Sequence, residues 1–192
     1  KKQTNYREGS LGNLGLVYQK LKNYEKAIDY FENALNSGNL KNHKTIFFAR
    51  LIDNIAYTKF LRGDTTNIVE DFYKSLSIRD SLNHTSGVVI SKRHLSEFYA
   101  VKKDTTLAVK YVNEAFGLAD QLNNNRDKLE TLLLLSKVDR QKSNKYLNEY
   151  VRISDSLQVE DRKIRNKFTR IRFETDEYIE ETEKLSEQNL LI

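Results

Sequence analysis

The chain contains no cysteine, no proline, no methionine and no tryptophan, and only seven of its 192 residues are glycine. Without cysteine it can form no disulfide, thiolate metal site or cysteine nucleophile, whatever its redox compartment. The absence of proline and the scarcity of glycine remove the commonest helix breakers, which suits an almost wholly helical chain with short polar turns. No stretch approaches the ~18 consecutive apolar residues of a membrane span, and no secretory signal pattern opens the sequence, so a soluble region is expected. The chain starts at Lys1 without a methionine, as a processed product or an excised piece would. What it does have is 39% hydrophobic and 31% charged residues, enough apolar content for one domain with its own core. The net charge of +5 is unevenly placed, so its distribution says more about partners than its sum.

A pair of residues, one apolar and one small, recurs along the chain as Leu14-Gly15, Ile55-Ala56, Leu95-Ser96 and Leu135-Ser136, at steps of 41, 40 and 40. A downstream anchor recurs as Phe31, Phe72, Val112 and Tyr150, followed three positions later by Ala34, Ser75, Ala115 and Ile153. Between the two anchors lie polar turns, Lys22-Asn23, Arg62 to Thr65 and Lys102 to Thr105, whose Asp and Thr suit the capping of a following helix. Apolar residues on either side of each turn follow helical spacing, as in Leu14, Val17, Tyr18 and Leu21, then Ala27, Ile28, Phe31 and Leu35. Each unit is therefore a helical hairpin. A unit of this length repeated in phase implies a solenoid, in which each hairpin buries its open face on the next. Gly15 and its counterparts are expected to let the two helices of a hairpin approach, and Ala27 and Ala34 to let the next hairpin dock.

These residues resemble the tetratricopeptide repeat (TPR) family: Leu14-Gly15, Tyr18, Ala27, Phe31 and Ala34 match its pattern nearly in full, and Leu95, Tyr99, Ala108 and Ala115 match it well. Residues 49–82 depart from it, with Lys59 at an aromatic position and Ser75 for alanine, and the fourth hairpin is degenerate. The ~40-residue step exceeds the common ~34. The resemblance implies an all-α, TPR-like solenoid of about four hairpins over residues 1–155, followed by a long charged helix over 156–192. It also implies a concave groove lined by first helices, and carrying its pattern over points to Asn13, Leu16, Gln19, Lys20, Arg50, Asp53, Asn54, Tyr57, Arg93, His94 and Glu97. That mixture of polar and aromatic residues suits a protein or peptide ligand. The clamp by which some TPR domains hold a peptide carboxylate is not reproduced, because Gly12 and Leu16 occupy its first two places in the opening repeat.

From Leu157 to Ile192 there is neither glycine nor proline, and one long helix is expected, continuous with one beginning near Ser143. Its apolar residues Leu157, Ile164, Ile171, Tyr178 and Leu185 recur at seven-residue steps, while the companion row Glu160, Lys167, Glu174, Glu181 and Gln188 is polar. Arg162, Lys163, Arg165, Lys167, Arg170 and Arg172 form a basic block, followed by an acidic block from Glu174 to Glu187. Like blocks would face one another in a parallel pair, so a weak homodimer through this helix is electrostatically favoured as antiparallel; the plainer alternative is a solvated helix. The segment from Arg165 to Ile192 also resembles the juxtamembrane end of bacterial membrane-anchored TPR regulators, whose output is a LuxR-type helix-turn-helix or a histidine-kinase module. That resemblance implies a sensor region on the periplasmic side of the inner membrane, attached through a segment outside these residues. A freestanding, cytoplasmic TPR scaffold is the alternative.

No phosphate-cradling glycine loop, HExxH, nucleophile elbow or metal-spaced cluster occurs in the sequence, so no enzyme, cofactor or metal site is expected. His43, His84 and His94 are far apart and lack a partner pattern, as surface or groove histidines would. The basic block is interleaved with Phe168 and Phe173, a pairing that can serve nucleic acids, but the acidic block that starts at Glu174 would repel the same polyanion. Direct nucleic-acid binding by this region is not expected.

Overall fold

The computed structural model describes the backbone of residues 2–37 and 45–189 and the side chains of residues 7–37, 45–180, 182 and 183. Eight α-helices occur among them, with no strand: α1 (Lys2–Lys20), α2 (Tyr24–Asn36), α3 (Ile46–Arg62), α4 (Val69–Ser81), α5 (Thr85–Val101), α6 (Thr105–Gln121), α7 (Asn125–Val138) and α8 (Ser143–Asn189). A 3₁₀ turn, Arg140–Lys142, separates the last two. Helices α1/α2, α3/α4 and α5/α6 pair as hairpins, each second helix packs on the next first helix, and first helices also touch one another. The all-α, TPR-like solenoid expected from the repeat is the observed fold.

One turn design recurs between α1 and α2, α4 and α5, α5 and α6, and α6 and α7. Its middle residue, Lys22, Asn83, Lys103 or Asn123, has a positive φ of 50–64°, and the next residue closes the old helix and opens the new one. Asn23, His84, Asp104 and Asn124 each donate a backbone N–H to a carbonyl five residues back, at 2.9–3.0 Å. Their side chains in turn accept from the third residue of the following helix. Free carbonyls of one helix end and free N–H groups of the next are thus both satisfied within three residues. Two 17-residue helices, α5 and α6, with a three-residue turn after each, account for the forty-residue step. The turn after α3 departs from this design. Gly63 takes the left-handed conformation at φ 105°, but Asp64 pairs with Arg62 at 2.5 Å and does not cap α4, which starts at Val69 behind Ile68 with no side-chain cap. The expected capping role of Asp64 and Thr65 is therefore replaced by an ion pair in a longer loop.

Large and small side chains interlock along the solenoid. Phe31, Phe72 and Val112 are fully buried at equivalent places, as are Ala34, Ser75 and Ala115 three residues later. Ala27, Phe31 and Ala34 of α2 form one cluster with Leu51 and Ile55 of α3. Ala56 and Leu95 join Ile68, Phe72 and Phe98 in the next. A Cβ on Gly15 would fall 2.5–2.8 Å from three atoms of the Phe31 ring, so glycine is the residue that lets α1 close on α2. Leu14, expected as an apolar anchor, is 42% exposed, whereas its counterparts Ile55, Leu95 and Leu135 are buried.

The chain divides into two compact units, residues 1–147 and 148–192. The boundary expected from the sequence at 155/156 also falls inside α8, which runs unbroken from Ser143. The second helix of the degenerate fourth hairpin and the long C-terminal helix are one element of 47 residues, about 70 Å long at ~1.5 Å per residue. No helix among the described residues is long and apolar enough to cross a membrane.

The two helical glycines with contrasting surroundings supply a test. Replacing a solvent-facing helix glycine by alanine ordinarily stabilises by roughly 0.5–1 kcal/mol. Gly117 of α6 has open space at its Cβ position, so Gly117→Ala should raise the urea midpoint. Gly15→Ala should lower it, through a stability loss of about 1–3 kcal/mol, because Phe31 must move. A rise for both variants would remove the close-approach role of Gly15.

Candidate functional site

The solenoid unit carries an open cleft of about 1200 Å³ between α5, α7, the turn before α6 and the 3₁₀ turn, reached by the C-terminal end of α3. It is lined by Tyr57 and Phe60 of α3, Arg93 and Glu97 of α5, and Glu130, Leu133 and Lys137 of α7, among others. Tyr57, Glu97 and Lys137 are forty residues apart in sequence, so one register position of the repeat supplies three of the walls.

The polar groups on the inner wall are held before any ligand arrives. The Tyr57 hydroxyl donates to Glu97 Oε2 at 2.8 Å. Burial first, and the adjacent Glu97 carboxylate second, push the Tyr57 phenol well above its ordinary pKa, so it remains a donor at neutral pH. Arg93 bonds Glu130 at 2.5 Å and lies 3.7 Å from Asp127. Burial raises the Asp127 carboxyl against the opposing pull of Arg93. Glu130 also takes the guanidinium of Arg126 at 3.2 Å.

Beneath this wall a polar network ties α3, α4 and α5 together. The Arg79 Nη1 group donates to Asp53 Oδ2 at 3.1 Å, to the Gly87 carbonyl at 3.0 Å and to Ser91 Oγ at 2.7 Å. His94 Nδ1 is 3.0 Å from the same Asp53 oxygen. The His94 ring stacks on Tyr57 with centroids 3.8 Å apart and planes within 11°. Gly87 has no room for a Cβ beside His84 and Arg79, which keeps α5 close to the guanidinium. Burial alone would raise the Asp53 carboxyl; His94 and Arg79 together outweigh it and hold the pKa below the usual carboxylate range.

Of the eleven residues expected in the groove, the structure brings Tyr57, Arg93 and Glu97 together in the cleft. Asp53 and His94 are corrected to buried positions, 0% and 7% exposed, because Arg79 reaches across from α4 and draws them into the core. Gln19 donates to Thr58 Oγ1 at 2.7 Å, and Arg50 covers the Phe47 ring at 4.8 Å. Leu16 packs on the first core cluster, and Asn54 accepts the Thr58 hydroxyl at its carbonyl. Asn13 and Lys20 are exposed on α1, outside the cleft. The cleft residues beyond the third repeat were not anticipated, although extending the register of Arg93, His94 and Glu97 by forty residues would have reached Leu133, Leu134 and Lys137. Of the histidines, His84 is an N-cap and His43 lies outside the described residues. No three His, Asp or Glu side chains converge to hold a metal ion among the described residues.

The buried network makes a pH-dependent contribution. A carboxyl with a depressed pKa in the folded state stabilises fully above its unfolded pKa, and that stabilisation is lost as pH falls through the lower folded value. Asp53→Ala should cost about 3–5 kcal/mol at neutral pH by leaving Arg79 buried and unpaired. Asp53→Asn should also flatten the fall in stability between neutral pH and the acid range, measured as urea midpoints. An unchanged acid profile would show that Asp53 does not carry it.

Residues 10–36, the first hairpin, match the family model of the tetratricopeptide repeat. No curated protein matches the chain significantly in sequence. Among solved structures, the chain is similar to BtubC (BKLC) from P. vanneervenii, with 16% identity, a TM-score of 0.68, and 81% of this chain and 66% of that one covered. It is also similar to the apo form of RapI, with 18% identity, a TM-score of 0.66, and 80% and 44% covered. A third likeness is to a signal transduction ATPase with numerous domains from Pyrococcus horikoshii that carries a tetratricopeptide repeat sensor, with 14% identity, a TM-score of 0.64, and 83% and 25% covered. The matched region spans under two thirds of each of these proteins. The fold of this chain is thus TPR-like, with a tetratricopeptide repeat recognisable in its first hairpin.

Proposed function

We propose that the chain is a non-enzymatic protein-interaction module that holds a segment of a partner protein in the cleft beside Tyr57, Arg93 and Glu97. The observation that carries this reading is the preorganised wall: a donor, a cation and a carboxylate fixed by internal bonds around an open space larger than typical small-molecule sites. Within that reading, the chain serves as the sensor region of a membrane-anchored bacterial signalling or transcription regulator, placed on the periplasmic side of the inner membrane. The order of elements, a TPR-like unit followed by a 47-residue helix, supports it, as does the likeness to a protein with a TPR sensor. A photo-crosslinking residue at Leu133, inside the cleft, should capture partner protein, whereas one at exposed Asn113 of α6, which does not line the cleft, should not. Equal capture from both positions would remove the cleft from the function. The coding sequence beyond Ile192 tests the anchored reading: a membrane span supports it, and an immediate stop overturns it.

Helix α8 offers a second surface, for another copy of the chain. Ile164, Phe168, Ile171 and Tyr178 are exposed along it, and Leu157 is half-buried; the side chain of Leu185 lies outside those described. Asp161, Phe168, Thr175 and Thr182 fall four residues after the seven-residue positions, a row that is polar except at Phe168. Arg170–Glu174 and Arg172–Asp176 pair within the helix at 2.7 and 3.8 Å, while Arg162, Lys163, Arg165 and Lys167 make no ion pair among the described residues. An antiparallel pair would set these cations against the partner's acidic block, which a parallel pair cannot do. Light scattering across a concentration series should show weak, salt-sensitive self-association that Ile171→Asp reduces. Equal monomer content for the parent and the variant at every concentration would exclude it. A relay into paired membrane spans needs parallel helices, so in the sensor reading this antiparallel pairing is a solution association and not the relay.

A further inference from the structure

We infer that the segment held in the cleft is acidic, with carboxylate side chains flanking apolar ones; this rests on the cleft being the partner site. The three carboxylates that line the cleft already have internal donors. Glu97 accepts from Tyr57, Glu130 is held by Arg93 and Arg126, and Asp139 accepts from the Tyr146 hydroxyl at 3.0 Å with Lys142 at 3.6 Å. The cations divide differently. Arg93 is occupied by Glu130 and Asp127, but Lys103, Lys137 and Arg140 are exposed and make no ion pair among the described residues.

Those three come from separate elements, the turn before α6, the last turn of α7 and the 3₁₀ turn, and all face one cleft. Val101 and Leu133, 58% and 36% exposed, line the same space. Bound acids and unbound cations around apolar wall residues are complementary to a chain that alternates carboxylates with apolar side chains. The cleft is larger than the ~300–1,000 Å³ of typical small-molecule sites, which favours a polypeptide segment over a metabolite. A nucleic acid is disfavoured because its continuous phosphates would meet Glu97, Glu130 and Asp139 as well as the cations.

The test uses two labelled synthetic peptides, one of glutamate, alanine and leucine and one with lysine in place of each glutamate, with binding followed by fluorescence anisotropy at low and high salt. The parent chain should prefer the glutamate peptide and weaken with salt. Joint replacement Lys103→Glu, Lys137→Glu and Arg140→Glu, all at exposed positions, should lower its affinity by about tenfold or more and reverse the preference. The same charge change on α8, through Arg162→Glu, Arg165→Glu and Lys167→Glu, should leave the preference intact. Undiminished glutamate-peptide binding by the cleft variant, or an equal loss in the α8 variant, overturns the inference. A photo-crosslinker at Leu133 separates the two levels of failure. Capture of the lysine peptide in preference keeps the cleft as a site and overturns its acidic assignment; if both peptides bind elsewhere and neither reaches Leu133, the cleft reading falls as well.

Discussion

The structure depends on how closely one helix can approach the next, and the Phe31 ring resting on Gly15 shows the constraint in its simplest form. A large side chain on the second helix of a hairpin needs a small one opposite, and the alanines beside it must in turn admit the following first helix. Ala27, Ala34, Ala108 and Ala115 have no exposed surface at all. Since interiors are packed nearly as densely as organic crystals, one methyl group in such a place shifts a whole hairpin. Repeating that contact stacks the hairpins, and stacking them brings α3, α5 and α7 side by side as walls of one cleft.

The repeat then varies in a way that serves the cleft. The second and third hairpins share the buried polar residues Asp53, Arg79, Ser91 and His94. A buried ion pair contributes little net stability compared with apolar residues of the same size, but removing one partner is costly, so it specifies a single arrangement. Here that arrangement includes the stack of His94 on Tyr57 and hence the aim of the Tyr57 hydroxyl at Glu97. Rigidity below the wall is what keeps its polar groups paired while the outer cations stay open to solvent.

Helix α8 obeys a different balance. Ile164, Phe168, Ile171 and Tyr178 are exposed along it, and its basic and acidic blocks meet at Arg170–Glu174 and Arg172–Asp176. Surface ion pairs of this kind contribute at most about 1 kcal/mol each, so they leave the helix available for an outside partner.

Helical hairpins, their forty-residue step and the large-small interlock could all be derived from residue order, because periodicity and side-chain size act over a few positions and recur in phase. The turns were partly legible: Asn23 and Asp104 cap as their types suggest, while His84 as a cap and Asp64 as an ion-pair partner depend on neighbours that geometry selects. The cleft was legible only at Tyr57, Arg93 and Glu97. Asp53 and His94 share the register that points into a groove, and nothing local to them announces Arg79, which comes from 26 positions after Asp53 and lies on another helix. Likewise Lys103, Lys137 and Arg140 look like ordinary solvated charges until packing places them around one cavity while every nearby carboxylate is already bonded. Which charges are buried, paired or left open is a property of distances between remote residues, and only the tertiary structure decides those distances.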